Sequence, residues 1–167
     1  MASGVQVSDE VKQLFEDMKV HHKGEDENDH CKIAVMKIRE HSIEVEKKYT
    51  LGEIKKGNQD PFVVFQNQLK SDTCCYVLYD CCFDTKEVPN KEDLILIMWT
   101  PEGGPREDKM VYSTSKQSLK AVCSGVKYNL EMQDYDDICS RHSFGECLGK
   151  EVTSIEGISV CKQQRSS

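Results

Sequence analysis

Hydrophobic residues recur along the chain in two rhythms. Val11, Leu14, Phe15 and Met18 fall at i, i+3, i+4 and i+7, the spacing of one buried helix face. Ser8 ahead of them is a suitable cap, and Asp9 and Glu10 suit the dipole of a first turn. A helix is therefore predicted over 9–19, with residues 1–7 as a short mobile arm. The polar, acidic stretch 21–30 reads as a loop. Cys31–Ile38 and Ile43–Tyr49 read as strands around a turn at His41-Ser42, Ile43 and Val45 alternating with charge. Residues 51–59 read as irregular. Asp60-Pro61 opens the next helix with a cap and then a proline, and Phe62, Phe65 and Leu69 form its buried face.

Cys74–Phe83 is apolar and reads as a buried strand, and 84–91 as a turn holding Pro89. The near-continuous apolar run Leu94–Trp99 predicts a central strand covered on both faces. Pro101, Gly103, Gly104 and Pro105 make 100–108 a rigid loop. Ser113, Thr114 and Ser115 offer caps for a helix with Leu119, Val122 and Cys123 on one face and Gly125 at its end. Val126–Met132 alternates as a strand, 134–149 reads as a helix, and 152–160 as an extended tail. The order α β β α β β α β α fits a sheet with helices on both faces.

At 167 residues the chain is expected to be one domain, and 38% hydrophobic content suffices for a core without staples. A net charge of −7 argues against nucleic acid as the partner. No apolar run approaches the ~18 residues of a membrane span, and Met1–Val5 has no leader character. A cytoplasmic location and no membrane insertion are expected. There the nine cysteines, an odd number, are free thiols by default.

No constellation calls for an enzyme, a cofactor or a metal. Gly145–Lys150 is one residue short of a phosphate loop, is followed by Glu151, and comes after a helix instead of a strand. Gly149 reads better as a helix C-cap. Cys74-Cys75 and Cys81-Cys82 are adjacent, so on a strand each pair points to opposite faces. That favours structural thiols over zinc or redox chemistry, and a thiol-based redox sensor is the competing class. His21, His22, Asp26, Asp29, His30 and Cys31 are metal-ligand types on an acidic loop that matches no motif. Lys109, Lys116 and Lys120, with Lys127 beyond, concentrate positive charge around the 113–124 helix. An ordinary solvated face is the plain reading of that charge. Met110 suits either a core or an adaptable contact.

Several runs resemble the vertebrate cofilin and actin-depolymerizing factor family: Met1-Ala2-Ser3-Gly4-Val5, Val7–Val11, Tyr76–Asp80, Lys91–Leu94, Trp99–Glu102, Lys109–Lys116 and Ser154–Gly157. The likeness spans essentially the whole chain in order. It implies the actin-depolymerizing-factor homology fold, an α/β (α+β) domain whose mixed central sheet has helices on both faces. It also implies a monomeric, cytoskeleton-associated, non-enzymatic protein that binds actin monomers and filaments, severs filaments and promotes depolymerization. The monomer surface maps to Ser3, Lys109, Met110 and Lys120 with Lys116 nearby. The filament surface maps to Lys91, Asp93, Glu146, Lys150 and Glu156. Ser3 corresponds to the regulatory phosphorylation site, where a phosphate opposes contact with acidic actin. Lys109, Lys120 and Lys127 correspond to a phosphoinositide-binding face. A decorating or monomer-binding protein without severing is the alternative within this fold. Glu107, Ala121 and Val122 stand where vertebrate members carry lysines, Tyr128 where a pH-linked histidine often lies, and 21–30 is acidic where they carry a basic import stretch. Weaker phosphoinositide binding, weaker pH dependence and no nuclear import through that loop are expected.

Overall fold

The computed structural model describes residues 4–19, 27–149 and 151–160. Five helices and eight strands are found among them. In chain order they are β1 Gln6–Val7, α1 Asp9–Lys19, β2 Cys31–Arg39, β3 Ser42–Thr50, α2 Leu51–Lys56, α3 Pro61–Gln68 and β4 Cys75–Thr85. Then follow β5 Lys91–Trp99, α4 Arg106–Val122, β6 Tyr128–Met132, α5 Arg141–Leu148, β7 Val152–Ile155 and β8 Ile158–Ser159.

One sheet runs in the order β1-β3-β2-β4-β5-β6. It is mixed, because β1 pairs β3 and β6 pairs β5 in parallel while the other neighbours are antiparallel. β7 joins the end of β4 at Phe83–Thr85, and β8 folds back on β7. Alternation along β4 and β5 sorts the core onto both faces. Cys75, Val77, Tyr79, Ile95, Ile97 and Trp99 pack under α3 and α5 with Phe62, Phe65 and Phe144. Cys74, Tyr76, Leu78, Leu96 and Met98 pack under α1 and α4 with Phe15, Tyr112 and Leu119. β5 is covered on both faces, as its apolar run predicts, and Cys74 and Cys75 part to opposite faces.

Five elements differ from the reading of the sequence. The supposed arm ends in the sheet: Val5 is buried, and Gln6 and Val7 pair with Ser42 and Ile43. The stretch 51–59 holds α2, which Thr50 starts through a reciprocal capping box with Glu53. The span 134–149 is a 3-10 turn at Tyr135–Asp137 followed by α5, which Ser140 caps by accepting from the Ser143 N–H at 3.1 Å. The tail 152–160 is a hairpin instead of a single extended run.

The fifth difference shapes the functional face. α4 begins seven residues before Ser113, so Ser113, Thr114 and Ser115 are interior residues. Pro105 precedes the first turn, and Glu107 and Asp108 supply the acidic charge a helix start favours. Thr114 Oγ1 turns back to the Met110 carbonyl at 3.1 Å instead of capping. The loop ahead of the helix passes close to the chain at Ser71. A Cβ on Gly103 would lie 2.5 Å from the Ser71 carbonyl oxygen, so only glycine fits there.

Candidate functional site

α4 is tied to the sheet along its inner side. Leu119 is fully buried, and the Tyr112 ring stands 5.0 Å from that of Tyr76. The backbone N–H of Ile38 donates to the Tyr112 hydroxyl at 3.0 Å, and the Tyr76 hydroxyl donates to the Tyr112 carbonyl. These contacts fix the helix's rotation. At about 100° per residue, Arg106, Met110, Thr114, Gln117 and Ala121 then form the outward line, and all five are exposed. Met110 is 64% exposed and Val111 38%. An exposed methionine among small and polar residues makes a shallow apolar ridge suited to a cleft.

The predicted lysines divide. Lys109 flanks the ridge, its ammonium donating to the Glu102 carbonyl at 3.2 Å. Lys120 flanks it in the last turn. Lys116 does not join them. It is 8% exposed, and its ammonium is bound by the Glu131 carboxylate of β6, so it serves helix-to-sheet packing. The helical rise separates Lys109 from Lys120 by roughly 16 Å. The pair therefore does not converge on one phosphate, and Lys127 lies beyond the helix, lining a cleft with Phe15, Met18 and Asp93. The sequence reading leaves Arg106 in the loop ahead of the helix and makes Thr114 a cap, so neither joins Met110 and Gln117 in one line. Their signal is the i, i+4, i+8, i+11 spacing through Met110.

The residues that the resemblance assigns to a filament surface are spread over β5, α5 and the β7–β8 turn. Lys91 and Asp93 open β5 as an ion pair at 3.3 Å. Glu146 is exposed on α5, 3.6 Å from His142. Glu156 is not a surface contact. Its side chain is 7% exposed and lies 3.2 Å from the Lys32 ammonium, and its carboxylate accepts from the Tyr79 hydroxyl at 2.5 Å. Burial pushes its carboxyl above the ordinary range against the pull of Lys32 and Tyr79. Ser3 and Lys150 lie outside the described residues, as do His21, His22, Asp26 and most of the 21–30 loop.

Thiol chemistry finds little support in the interior. Burial pushes the Cys31 thiol up to about 11, and those of Cys75 and Cys123 up to about 12. Burial also raises Cys74, Cys81, Cys82 and Cys147. A raised thiol holds little thiolate, the reactive form, near neutral pH. Gly145 is buried within α5, and Gly149 (φ +138°) donates its N–H to the Gly145 carbonyl, which makes it the helix cap.

A family model described as cofilin/tropomyosin-type actin-binding protein matches residues 4–147. The chain belongs to the cofilin family. Among solved structures, actin depolymerization factor 2 of Plasmodium berghei is 27% identical, with a TM-score of 0.67 over 83% of this chain and 92% of its own. An ADF-like protein of Caenorhabditis elegans is 21% identical, with a TM-score of 0.68 over 90% and 97%. A cofilin of Streptomyces griseoflavus is 18% identical, with a TM-score of 0.67 over 85% and 97%. Family and fold together support actin binding.

Proposed function

We propose that this cofilin-family chain binds actin monomers and filaments, severs filaments and promotes their depolymerization, without catalysis. The observation that carries this reading is the outward line of α4. It sets an exposed Met110 between two flanking lysines on a helix whose rotation the core fixes. Such a ridge fits an apolar cleft, and the lysines suit an acidic partner. The second cluster, at the Lys91 end of the sheet, would engage a neighbouring filament subunit. A protein with two such surfaces shifts the filament toward the twist that satisfies both. Boundaries between decorated and bare stretches then become weak points.

Ser3 would carry the inhibitory phosphate. Phosphoinositide headgroups would bind weakly, because the candidate lysines are spread along the helix and Ala121 and Val122 add no charge. The protein would work in the cytoplasm on the cytoskeleton, as a monomer. A decorating protein that does not sever is the second reading. It is favoured by Glu107 on the exposed first turn of α4 and by burial of Glu156, which thins the filament-side charge.

Filament co-sedimentation paired with imaging of single filaments separates the readings. Binding with an accumulation of short filaments is expected. Binding at unchanged length would leave a decorating protein. Absence of both filament and ADP-monomer binding would overturn the assignment.

A further inference from the structure

The chain has six tyrosines, and the fold leaves one of them open. Tyr76, Tyr79 and Tyr112 are at most 5% exposed. The Tyr76 hydroxyl donates to the Tyr112 carbonyl and that of Tyr79 to Glu156, while that of Tyr112 accepts from the Ile38 N–H. Tyr49 and Tyr128 pack half-buried against the core. The Tyr49 hydroxyl donates to Gln68 at 3.4 Å, and the Tyr128 ring stands edge-on to Phe83. Tyr135 is 55% exposed.

Tyr135 opens the 3-10 turn between β6 and α5, and the buried Met132 and Ile138 anchor the chain on either side of it. Asp134 caps the turn by accepting from the Asp136 N–H at 3.0 Å. The phenol is therefore a fixed projection, with Glu131, Asp134, Asp136 and Asp137 close to it in sequence. A phenol on an exposed turn with acidic flanks suits the basic substrate groove of an acid-directed protein-tyrosine kinase.

The cavity beside the turn says what a phosphate would do there. Tyr135 and Lys109 line one cavity of about 540 Å³ together with Trp99, Glu102 and Asp134. Among the described residues that line it, Lys109 is the one cation. Its ammonium donates to the Glu102 backbone carbonyl at 3.2 Å, a neutral acceptor that a phosphate outcompetes. A phosphate on tyrosine brings a charge of about −1.5 to −2.

We propose that Tyr135 is a phosphorylation site whose phosphate pairs with Lys109 across this cavity and withdraws that lysine from the docking face of α4. In the modifying step the phenol oxygen attacks the γ-phosphorus of a nucleoside triphosphate. The bond to the departing nucleoside diphosphate breaks, and the phenol proton passes to a base of the kinase. The consequence for actin rests on the α4 reading above, whereas the site and the pairing stand apart from it.

The test incubates the full chain with a nucleoside triphosphate, magnesium and an acid-directed tyrosine kinase, and locates the phosphate by mass spectrometry. Phosphate is expected at Tyr135 and not at Tyr76, Tyr79 or Tyr112. A chain left unmodified at Tyr135 by a kinase that modifies an acidic control peptide would overturn the site. Pairing is read without actin, by phosphorus NMR of the phosphorylated protein. Its phosphate should titrate at lower pH in the wild type than in Lys109→Ala, and identical titrations would overturn the pairing. Phosphorylation should raise the Kd for ADP-actin monomers about tenfold in the wild type. In Lys109→Ala the rise should be no more than about twofold. Thermal melts check that both forms stay folded. No rise in the wild type, or an equal rise in both, would overturn the regulatory role. An unmodified wild type without affinity for monomers would overturn the α4 reading, and the titration would still decide the pairing.

Discussion

Met110 and Leu119 lie on opposite sides of one helix, and truncating each should have opposite consequences. Met110 is 64% exposed and Leu119 is fully buried. Burying a whole methionine side chain is worth about 1.5–3 kcal/mol, and roughly two-thirds of Met110 remains to be buried by a partner. Met110→Ala should therefore cost about 1–2 kcal/mol of binding, or about 5- to 30-fold in Kd for ADP-actin monomers. Its effect on stability should stay within about 0.5 kcal/mol. Leu119→Ala removes a core side chain, at a cost of about 2–5 kcal/mol. A loss of about 3 kcal/mol lowers Tm by roughly 6–12 °C for a domain of this size. Trp99, the single tryptophan and 1% exposed, reports unfolding in urea. Titration of labelled monomers reports binding. Met110→Ala binding like the wild type, or destabilising the fold by more than about 1 kcal/mol, would refute the orientation assigned to α4.

Other consequences follow from buried and paired groups. Asp84 accepts from the Asn90 N–H at 2.6 Å and from the Ser154 hydroxyl, which hold its carboxyl below the ordinary range. Its stabilising effect is present above the unfolded carboxyl range and is lost as pH falls through the lowered value. Asp84→Asn should therefore be less acid-sensitive than wild type in urea melts, and an unchanged acid dependence would count against this. Cys31, Cys75 and Cys123, raised to about 11, 12 and 12, should resist a thiol reagent near neutral pH until the chain unfolds. Fast labelling of Cys31 in the native protein would revive the redox reading. Asp60 caps α3 by accepting from the Phe62 N–H and also binds Arg141. Asp60→Asn should keep the cap and cost less in a thermal melt than Asp60→Ala, which loses about 1 kcal/mol more. Equal costs would show that the cap contributes nothing.

Much of the fold could be read from local pattern. α1 starts and stops where its spacing and charges say it should, and β5 is central because its run leaves no polar face. The helix after Asp60-Pro61 is likewise marked by its own residues. The misread elements have a weak period of their own, a cap that is easily overlooked, or a dependence on distant partners. Residues 51–56 have a weak apolar period, and only Ile54 is buried there. α4 is held to the sheet near its start by Tyr112, which bonds to Tyr76 and Ile38, contacts made 36 and 74 positions away. The same long reach decided the site. Lys116 reads as surface charge by composition and Glu156 as a surface residue by resemblance, yet Glu131 and Lys32 draw them inward. Met110 suits either a core or a contact by sequence, and the rotation of α4 leaves it exposed.

Methionine oxidation footprinting tests the docking face most directly. Met18, Met36, Met98 and Met132 are at most 5% exposed, whereas Met110 is open to solvent. In the free protein Met110 should oxidise far ahead of those four. With saturating ADP-actin monomers it should become protected while the others stay as they were. Oxidation of Met110 at the same rate with and without bound actin would contradict the account.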